Sequence, residues 1–463
     1  MKFILIVIDT LRADHLGCYG YAKNTSPSID KLARESTVFL NDTATDVPTQ
    51  PSFTAMMTGK RGIKTGVVSH SPHETIGDEV PLLQQLLASK GYVTGAVSTL
   101  YIMKKYFSRG FHYYMNPVAG NPSRIQRVQA EEINAMALPW IEQHQKEDFF
   151  LFVHYWDPHT PYMPPEKYRK MFYDGVYNDP SNHSLDELKS TPLWYHHLTW
   201  LKEAGYADVT DLNFIISQYD GEIRHVDDAV GELIQKIDDL GLTDDTAVFV
   251  TADHGESMGE HGFYFDHADV YETTVHVPLM IRMPGTFPAA RVSELVQGID
   301  VTSTILKMAG LSPTDPEGLD LREVASGAKG RETVYSNQVL WTAKRMIREK
   351  RYKLILTYEA TYWPTPRLEL YDLDNDPKEE KNIINERPDL ANELELKLRR
   401  WEDEQLGPRV DPLKKITESG IPAKSWVENV LKRYNVYDTY EKQRNAIDAP
   451  KRATFFTHTT SSS

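Results

Sequence analysis

Residues 3–8 read Phe-Ile-Leu-Ile-Val-Ile and are followed at once by Asp9. A continuous apolar run rich in β-branched residues, with no polar alternation, is the pattern of a strand covered on both faces, the centre of a parallel α/β sheet. A carboxylate that closes such a run is costly to bury unless it is paired or holds a metal ion. One short segment therefore constrains both the architecture and the chemistry.

Three more apolar runs follow helical stretches: 92–97 after 81–90, 149–153 after 130–145, and 247–250 after 222–240. That alternation predicts an α/β fold with a large central, mostly parallel sheet flanked by helices. Ligands of open α/β sheets bind beyond the carboxyl ends of the strands. Here those ends deliver Asp9 and Thr10, then Ser98 and Thr99, then His154, Asp157 and His159, and finally Asp253 and His254.

With 463 residues the chain is long enough for one large and one smaller domain. The expected division is a catalytic α/β domain over 1–325, a C-terminal α+β subdomain on a short antiparallel sheet over 326–404, and a helical extension and tail over 405–463. Within the subdomain, 352–357 and 367–373 read as antiparallel strands followed by a turn at Asp374-Asn375-Asp376-Pro377. The aromatic stretch 160–205 has no clean period and reads as an excursion over the sheet edge. The tail 459–463 is polar and expected to fray.

Lys and Arg number 51 against 66 Asp and Glu, a net charge of −15. Such a balance opposes nonspecific attraction to nucleic acid or to anionic lipid. No stretch approaches the ~20 apolar residues of a membrane span. Cys18 is the single cysteine, expected as a small buried apolar residue, so no intramolecular disulfide can form. The expectation is a cytoplasmic protein acting on a small anionic ester, with a homo-oligomer left open.

Asp253, His254 and Asp9 together offer two carboxylates and one imidazole, a donor set suited to Mn²⁺ or Zn²⁺ rather than an all-oxygen Ca²⁺ cage. Thr49 stands between Pro48 and Pro51 at the start of a helical stretch. A threonine there is an ordinary cap, yet the positive end of a helix also suits an attacking oxyanion or a bound anion.

The opening Ile8-Asp9-Thr10-Leu11-Arg12-Ala13-Asp14-His15, the segment 49–60, Asp157-Pro158-His159-Thr160-Pro161, the stretch from Asp253-His254-Gly255-Glu256 to His261-Gly262, and Leu370-Tyr371-Asp372-Leu373-Asp374 resemble, in order, the blocks of the sulfatase branch of the alkaline phosphatase superfamily. The resemblance implies an alkaline phosphatase-like fold and hydrolysis of sulfate or phosphate esters at a metal. It implies that Asp9, Asp253 and His254 are metal ligands, joined by Thr49 at the nucleophile position. It further implies that His159 meets the substrate anion or leaving group, and that His267 falls, with a one-residue shift, where a substrate-binding lysine stands. Thr99 occupies the place of another lysine. His154 and Lys60 complete the expected substrate-binding set, with Arg61 and Lys104 as further cations able to fold inward.

The departures matter most. The resemblance implies a formylglycine matured from Cys or Ser in a Cys/Ser-x-Pro-x-Arg motif; here Thr49-Gln50-Pro51-Ser52-Phe53 stands instead, and Thr10 replaces a second Asp. A formylglycine hydrate expels sulfate by collapsing to an aldehyde, whereas a threonine ester must be cleared by attack at the central atom, which phosphorus permits more readily than sulfur. The expected reaction is attack by Thr49 on a phosphate diester, phosphonate monoester or phosphate monoester, with His159 or else His267 protonating the leaving group. A sulfatase working without formylglycine and a catalytically silent ligand-binding relative stay open. His196 and His197 are expected at the surface, His225 with Asp220 and Asp227 on a solvated helix face, His261 as a structural hydrogen-bonder, and 378–381 as a solvated surface.

Overall fold

The computed structural model describes residues 1–118, 121–361, 363 and 365–439, so the tail 459–463 lies outside the described residues. In chain order the strands are β1 (Lys2–Ile8), β2 (Thr37–Thr43), β3 (Asp46–Val47), β4 (Val93–Val97), β5 (Tyr113–Met115), β6 (Phe149–Tyr155), β7 (Thr246–Thr251), β8 (Ser257–Met258), β9 (Tyr264–Asp266), β10 (His276–Arg282), β11 (Ala290–Gln297), β12 (Thr333–Val339), β13 (Ala343–Glu349), β14 (Tyr352–Glu359) and β15 (Leu368–Asp372). Eight of them form one sheet in the order β11-β2-β10-β7-β1-β6-β4-β5, with only β10 antiparallel to its neighbours.

β1 is central, and its side chains divide strictly. Ile4, Ile6 and Ile8 join one apolar core, while Phe3, Leu5 and Val7 join the other, every one of them fully buried. The first core is closed by the helices Ala130–His144 and Leu212–Asp239; the second by Thr49–Thr58, Leu83–Ser89 and Gly298–Met308. Burial on both faces is why β1 lacks alternation, and each such side chain contributes ~1.5–3 kcal/mol relative to exposure.

The second sheet runs β15-β14-β13-β12-β3 and is covered by the helix Pro388–Leu406 through Leu394, Leu398 and Trp401. Its edge strand β3 comes from the large domain and pairs in parallel with β12. Asp46 of β3 accepts from Asn337 Nδ2 at 2.6 Å and from the Gly62 amide at 2.7 Å, so both ends of the Thr49 helix are tied to this sheet. The helices Pro412–Ser419 and Pro422–Arg433 follow, and the latter packs on Pro192–Glu203. No helix among the described residues is long and apolar enough to cross a membrane.

Five expectations need correction. The 160–205 stretch contains an ordered twelve-residue helix, Pro192–Glu203, whose apolar residues pack on the core; its mixed aromatic and polar sequence hid the period. His197 is buried, not superficial, with Nε2 at 2.9 Å from the Tyr264 carbonyl. His225 is buried as well, 2.7 Å from Glu131 and 3.4 Å from Asp157, because Glu131 and Asp157 arrive from other elements to cover it. Its helix neighbours go elsewhere: Asp220 binds His15, Tyr21 and Lys23, and Asp227 takes the Ser28 and Ile29 amides. Within 378–381, Glu379 is buried and pairs with Lys353 at 2.9 Å. Cys18 is only half-buried; burial and then the Asp30 carboxylate push its thiol up to about 12.

Candidate metal centre and nucleophile

Asp9 leaves β1 and Asp253 leaves the neighbouring β7 two residues after its last position, so one sheet edge presents both carboxylates. Thr10 adopts φ 54° and its amide donates to Asp253 Oδ1 at 3.2 Å, which bends the chain away just beyond Asp9. Gly255 follows because a Cβ there would meet the Thr273 carbonyl oxygen at 2.1 Å. Asp9, Asp253 and His254 are fully buried, and each places a ligand atom within 4.8 Å of the others.

The tautomers follow from the partners. His254 Nδ1 lies 3.0 Å from the Gly255 carbonyl, an acceptor only, so Nδ1 carries the proton and Nε2 presents a lone pair. That lone pair lies 3.2 Å from Asp253 Oδ2 and 3.2 Å from Thr49 Oγ1. Asp9 Oδ1 and Asp253 Oδ2 accept no hydrogen bond among the described residues. Buried carboxyl oxygens that face one another need a proton or a cation between them. The residues present therefore fit a divalent metal ion, held by Asp9, Asp253 and His254.

Protonation states agree. Burial, then the Asp253 and Glu256 charges, pushes Asp9 well above the usual carboxylate range, and burial pushes Asp253 up to about 7. Burial lowers His254 to about 4 and His159 to about 4. A buried cation would return both carboxyls to the ionised form.

Thr49 is the first residue of the helix Thr49–Thr58, with its hydroxyl toward His254. His159 Nδ1 is held by the Thr160 carbonyl at 2.6 Å, leaving Nε2 as an acceptor. His267 stacks near His254, with ring centroids 4.2 Å apart, and stands 5.7 Å from His159. Its Nδ1 lies 3.3 Å from Glu256, a carboxyl that burial and then Asp266 raise far above its ordinary value.

The other expected residues are engaged within the protein. His154 faces Asp9, with Nε2 3.2 Å from Oδ2 and Nδ1 3.3 Å from Ser98 Oγ, an arrangement that orients a candidate metal ligand. Thr99 is buried and accepts from Trp156 Nε1 at 2.5 Å, a ring that in turn lies edge-on to His159. Lys60 lies beyond the far end of the Thr49 helix, whose ten residues span ~15 Å. Arg61 is buried against Glu317 and the Tyr335 carbonyl, and Lys104 donates to the Ser71 and Pro72 carbonyls. Phe53 packs among Phe107, Phe152 and His154, inside the core.

Sequence reasoning missed two residues. His70 is close enough to His254 and His159 to feel their charge; burial, then those imidazoles, lowers it to about 3, and its Nδ1 has no hydrogen-bond partner among the described residues. It lies in an irregular loop between two serines, where no period or strand end marks it. Glu256, two residues past His254, was readable as part of the same strand-end cluster.

A sequence profile of the Sulfatase family matches residues 2–311, and one for the C-terminal part of N-sulphoglucosamine sulphohydrolase matches 259–404. Mouse iduronate 2-sulfatase is 25% identical over 335 residues, covering 62% of this chain and 60% of that enzyme. N-acetylglucosamine-6-O-sulfatase of Bacteroides thetaiotaomicron is 23% identical over 469 residues, covering 83% and 82%. The phosphonate monoester hydrolase of Agrobacterium radiobacter has the same fold, with a TM-score of 0.68 at 21% identity over 88% of this chain and 96% of that one. Two buried carboxylates, an imidazole and a helix-terminal hydroxyl converge at the candidate site, and the profile match over residues 2–311, more than half of the chain, makes this protein a member of the Sulfatase family.

Proposed function

We propose that the protein is a metal-dependent hydrolase of phosphate diesters, phosphonate monoesters or phosphate monoesters, with Thr49 as covalent nucleophile. The observation that carries this reading is the Thr49 hydroxyl, 3.2 Å from the lone pair of His254 at the positive end of its helix. A bound divalent ion, Mn²⁺ or Zn²⁺ for this donor set, would neutralise the two carboxylates and lower the hydroxyl's pKa.

Thr49, its hydroxyl proton passed to water, attacks the central atom, and the ester's leaving group departs in line. The threonyl ester is released by water entering along the reverse path. The neutral imidazoles divide the remaining work. The His267–Glu256 pair, with Nδ1 3.3 Å from Oε1, holds the proton that the leaving oxygen receives, and His159 Nε2 accepts from the entering water. With Phe53 buried and Lys104 spent on carbonyls, the anion meets imidazoles in place of fixed cations, which favours a singly charged ester.

Sulfate ester hydrolysis without formylglycine is the second reading, favoured by the names of the relatives. The test compares bis(4-nitrophenyl) phosphate, a 4-nitrophenyl phenylphosphonate and 4-nitrophenyl sulfate with added Mn²⁺, Zn²⁺ or Ca²⁺. Preferred turnover of a phosphorus ester that depends on Thr49 supports the first reading. Dominant sulfate turnover overturns it in favour of the second.

A further inference from the structure

The loop that carries His159 is held at both ends by one helix. At its start, just beyond β6, buried Asp157 lies 3.4 Å from His225 Nδ1. At its end, the Met163 amide donates to Glu222 Oε1 at 2.5 Å. Glu222 and His225 stand three residues apart on the helix Leu212–Asp239, so both fall on one side of it. Gly221 lets the chain run close to that side, since a Cβ there would stand 3.1 Å from Pro164 Cγ and 3.2 Å from the Tyr168 carbonyl oxygen. Between the two ends, the His159 ring lies 5.7 Å from that of His267, which lies 4.2 Å from that of His254.

The same helix also grips the turn after Asp9. Tyr219, three residues before Glu222, accepts from the Arg12 amide at 3.0 Å and donates to the Thr10 carbonyl at 2.8 Å. One helix thereby fixes the His159 loop relative to the strand end that bears a candidate metal ligand. Its two jaws are interior groups, Glu222 2% and His225 1% exposed, and polar groups are costly to place there. His225 offers its other nitrogen to Glu131 at 2.7 Å, and against burial the carboxylates on its two sides raise it. Burial, then the Asp157 charge, raises Glu222 well above the usual carboxylate range, which keeps its carboxyl neutral. A neutral acceptor is all that the Met163 amide needs.

We propose, resting on the reading of Thr49 as covalent nucleophile, that Glu222 and His225 are positioning residues that hold the 157–163 loop so that His159 Nε2 meets the water clearing the threonyl ester. In that step the water oxygen bonds to phosphorus and its proton passes to His159. The bond from phosphorus to Thr49 Oγ1 breaks, and its electron pair returns to the threonyl oxygen, which is reprotonated from water. The first step, attack by Thr49, does not depend on the clamp.

Stopped-flow hydrolysis of bis(4-nitrophenyl) phosphate by the full chain with added Mn²⁺ separates the two steps. Glu222→Leu opens one jaw, and His225→Phe, which keeps a ring beside Tyr168, opens the other. Each lowers steady-state kcat about 10–100-fold. The first turnover persists, so a burst of about one nitrophenol per chain precedes the slow phase. Glu222→Gln keeps the acceptor and stays within about twofold of wild type. In a His159→Ala background, Glu222→Leu lowers kcat no further. Loss of the burst together with turnover, equal damage by Gln and Leu, or full additivity with His159→Ala overturns the assignment. Hydrogen exchange over 157–163 needs no turnover: it quickens about tenfold or more in Glu222→Leu and not in Glu222→Gln. Unchanged exchange in Glu222→Leu overturns the clamp itself. Turnover that persists in Thr49→Ala overturns the nucleophile reading and the water step with it, whereas the exchange result bears on the clamp alone.

Discussion

Two buried clusters of charge sit in different parts of the molecule and are built on opposite rules. In the C-terminal sheet, Lys353 lies between Glu272 and Glu379 at 2.9 Å from each, and Arg348 joins Glu272 at 3.2 Å. Against burial, which raises it, Lys353 and Arg348 hold Glu272 down to about 2. Nearby Lys344 rests over the rings of Tyr271 and Phe263. At the edge of the large sheet, Asp9, Asp253 and Glu256 have no such partner, and all three are raised. Opposite charges placed in contact make an internal tie; like charges placed together make a site that waits for an ion. The second arrangement gathers carboxyls with no Lys or Arg in contact among the described residues, the position a metal ion would fill.

The sharpest break of this contrast is Thr49→Ala. It removes the hydroxyl and leaves both clusters intact, so turnover falls by about 10³-fold or more while the melting temperature stays within a few degrees. Steady-state kinetics and thermal unfolding on the same preparation check it.

Next come charge removals with opposite signs. Lys353→Met strands two buried carboxylates and costs about 3–5 kcal/mol in denaturant unfolding. Asp9→Asn relieves a raised carboxyl that meets the neutral His154 ring and no cation, so the metal-free protein unfolds at equal or higher denaturant, yet added ion no longer stabilises it. If both variants lose stability alike, the distinction between the clusters is wrong.

Glu256→Leu, which removes both donor and acceptor, tests the support of His267. Replacing such an outer partner lowers kcat by about 10–100-fold with little change in KM. A pure KM effect would place Glu256 with the substrate instead.

The smallest effect is the pH dependence of the metal-free protein. A carboxyl whose folded pKa lies above its unfolded value contributes stability that is present below the unfolded value and is lost as pH rises through the folded one. Asp253, raised from 3.8 to about 7, therefore makes the EDTA-treated protein less stable as pH climbs across that window. Added Mn²⁺ or Zn²⁺ displaces the proton, so its stabilisation grows with pH over the same interval. Unfolding curves at pH 5 and pH 8, with and without ion, decide the point.

The half of the site that lies at strand ends was legible because β-sheet periodicity is local: a run such as 3–8 announces a doubly covered strand, and the residue after it lands on the carboxyl edge. The other half was not. His70 lies in an irregular loop whose course is set by contacts from Lys104 and Gln50. His225 and Glu379 read as surface residues because their coverings come from Asp157, Glu131 and Lys353, remote in the chain. Phe53 shows the same limit, since nothing in its neighbours told whether it entered the site or the core.

The order of apolar runs, the carboxylates that close them and a threonine at a helix start follow from the chain alone, because each depends on residues within a few positions. Which imidazoles share a cavity, which acids find a lysine and which are left facing one another was settled only by packing. Burial and electrostatic pairing are sums over neighbours that local sequence does not contain.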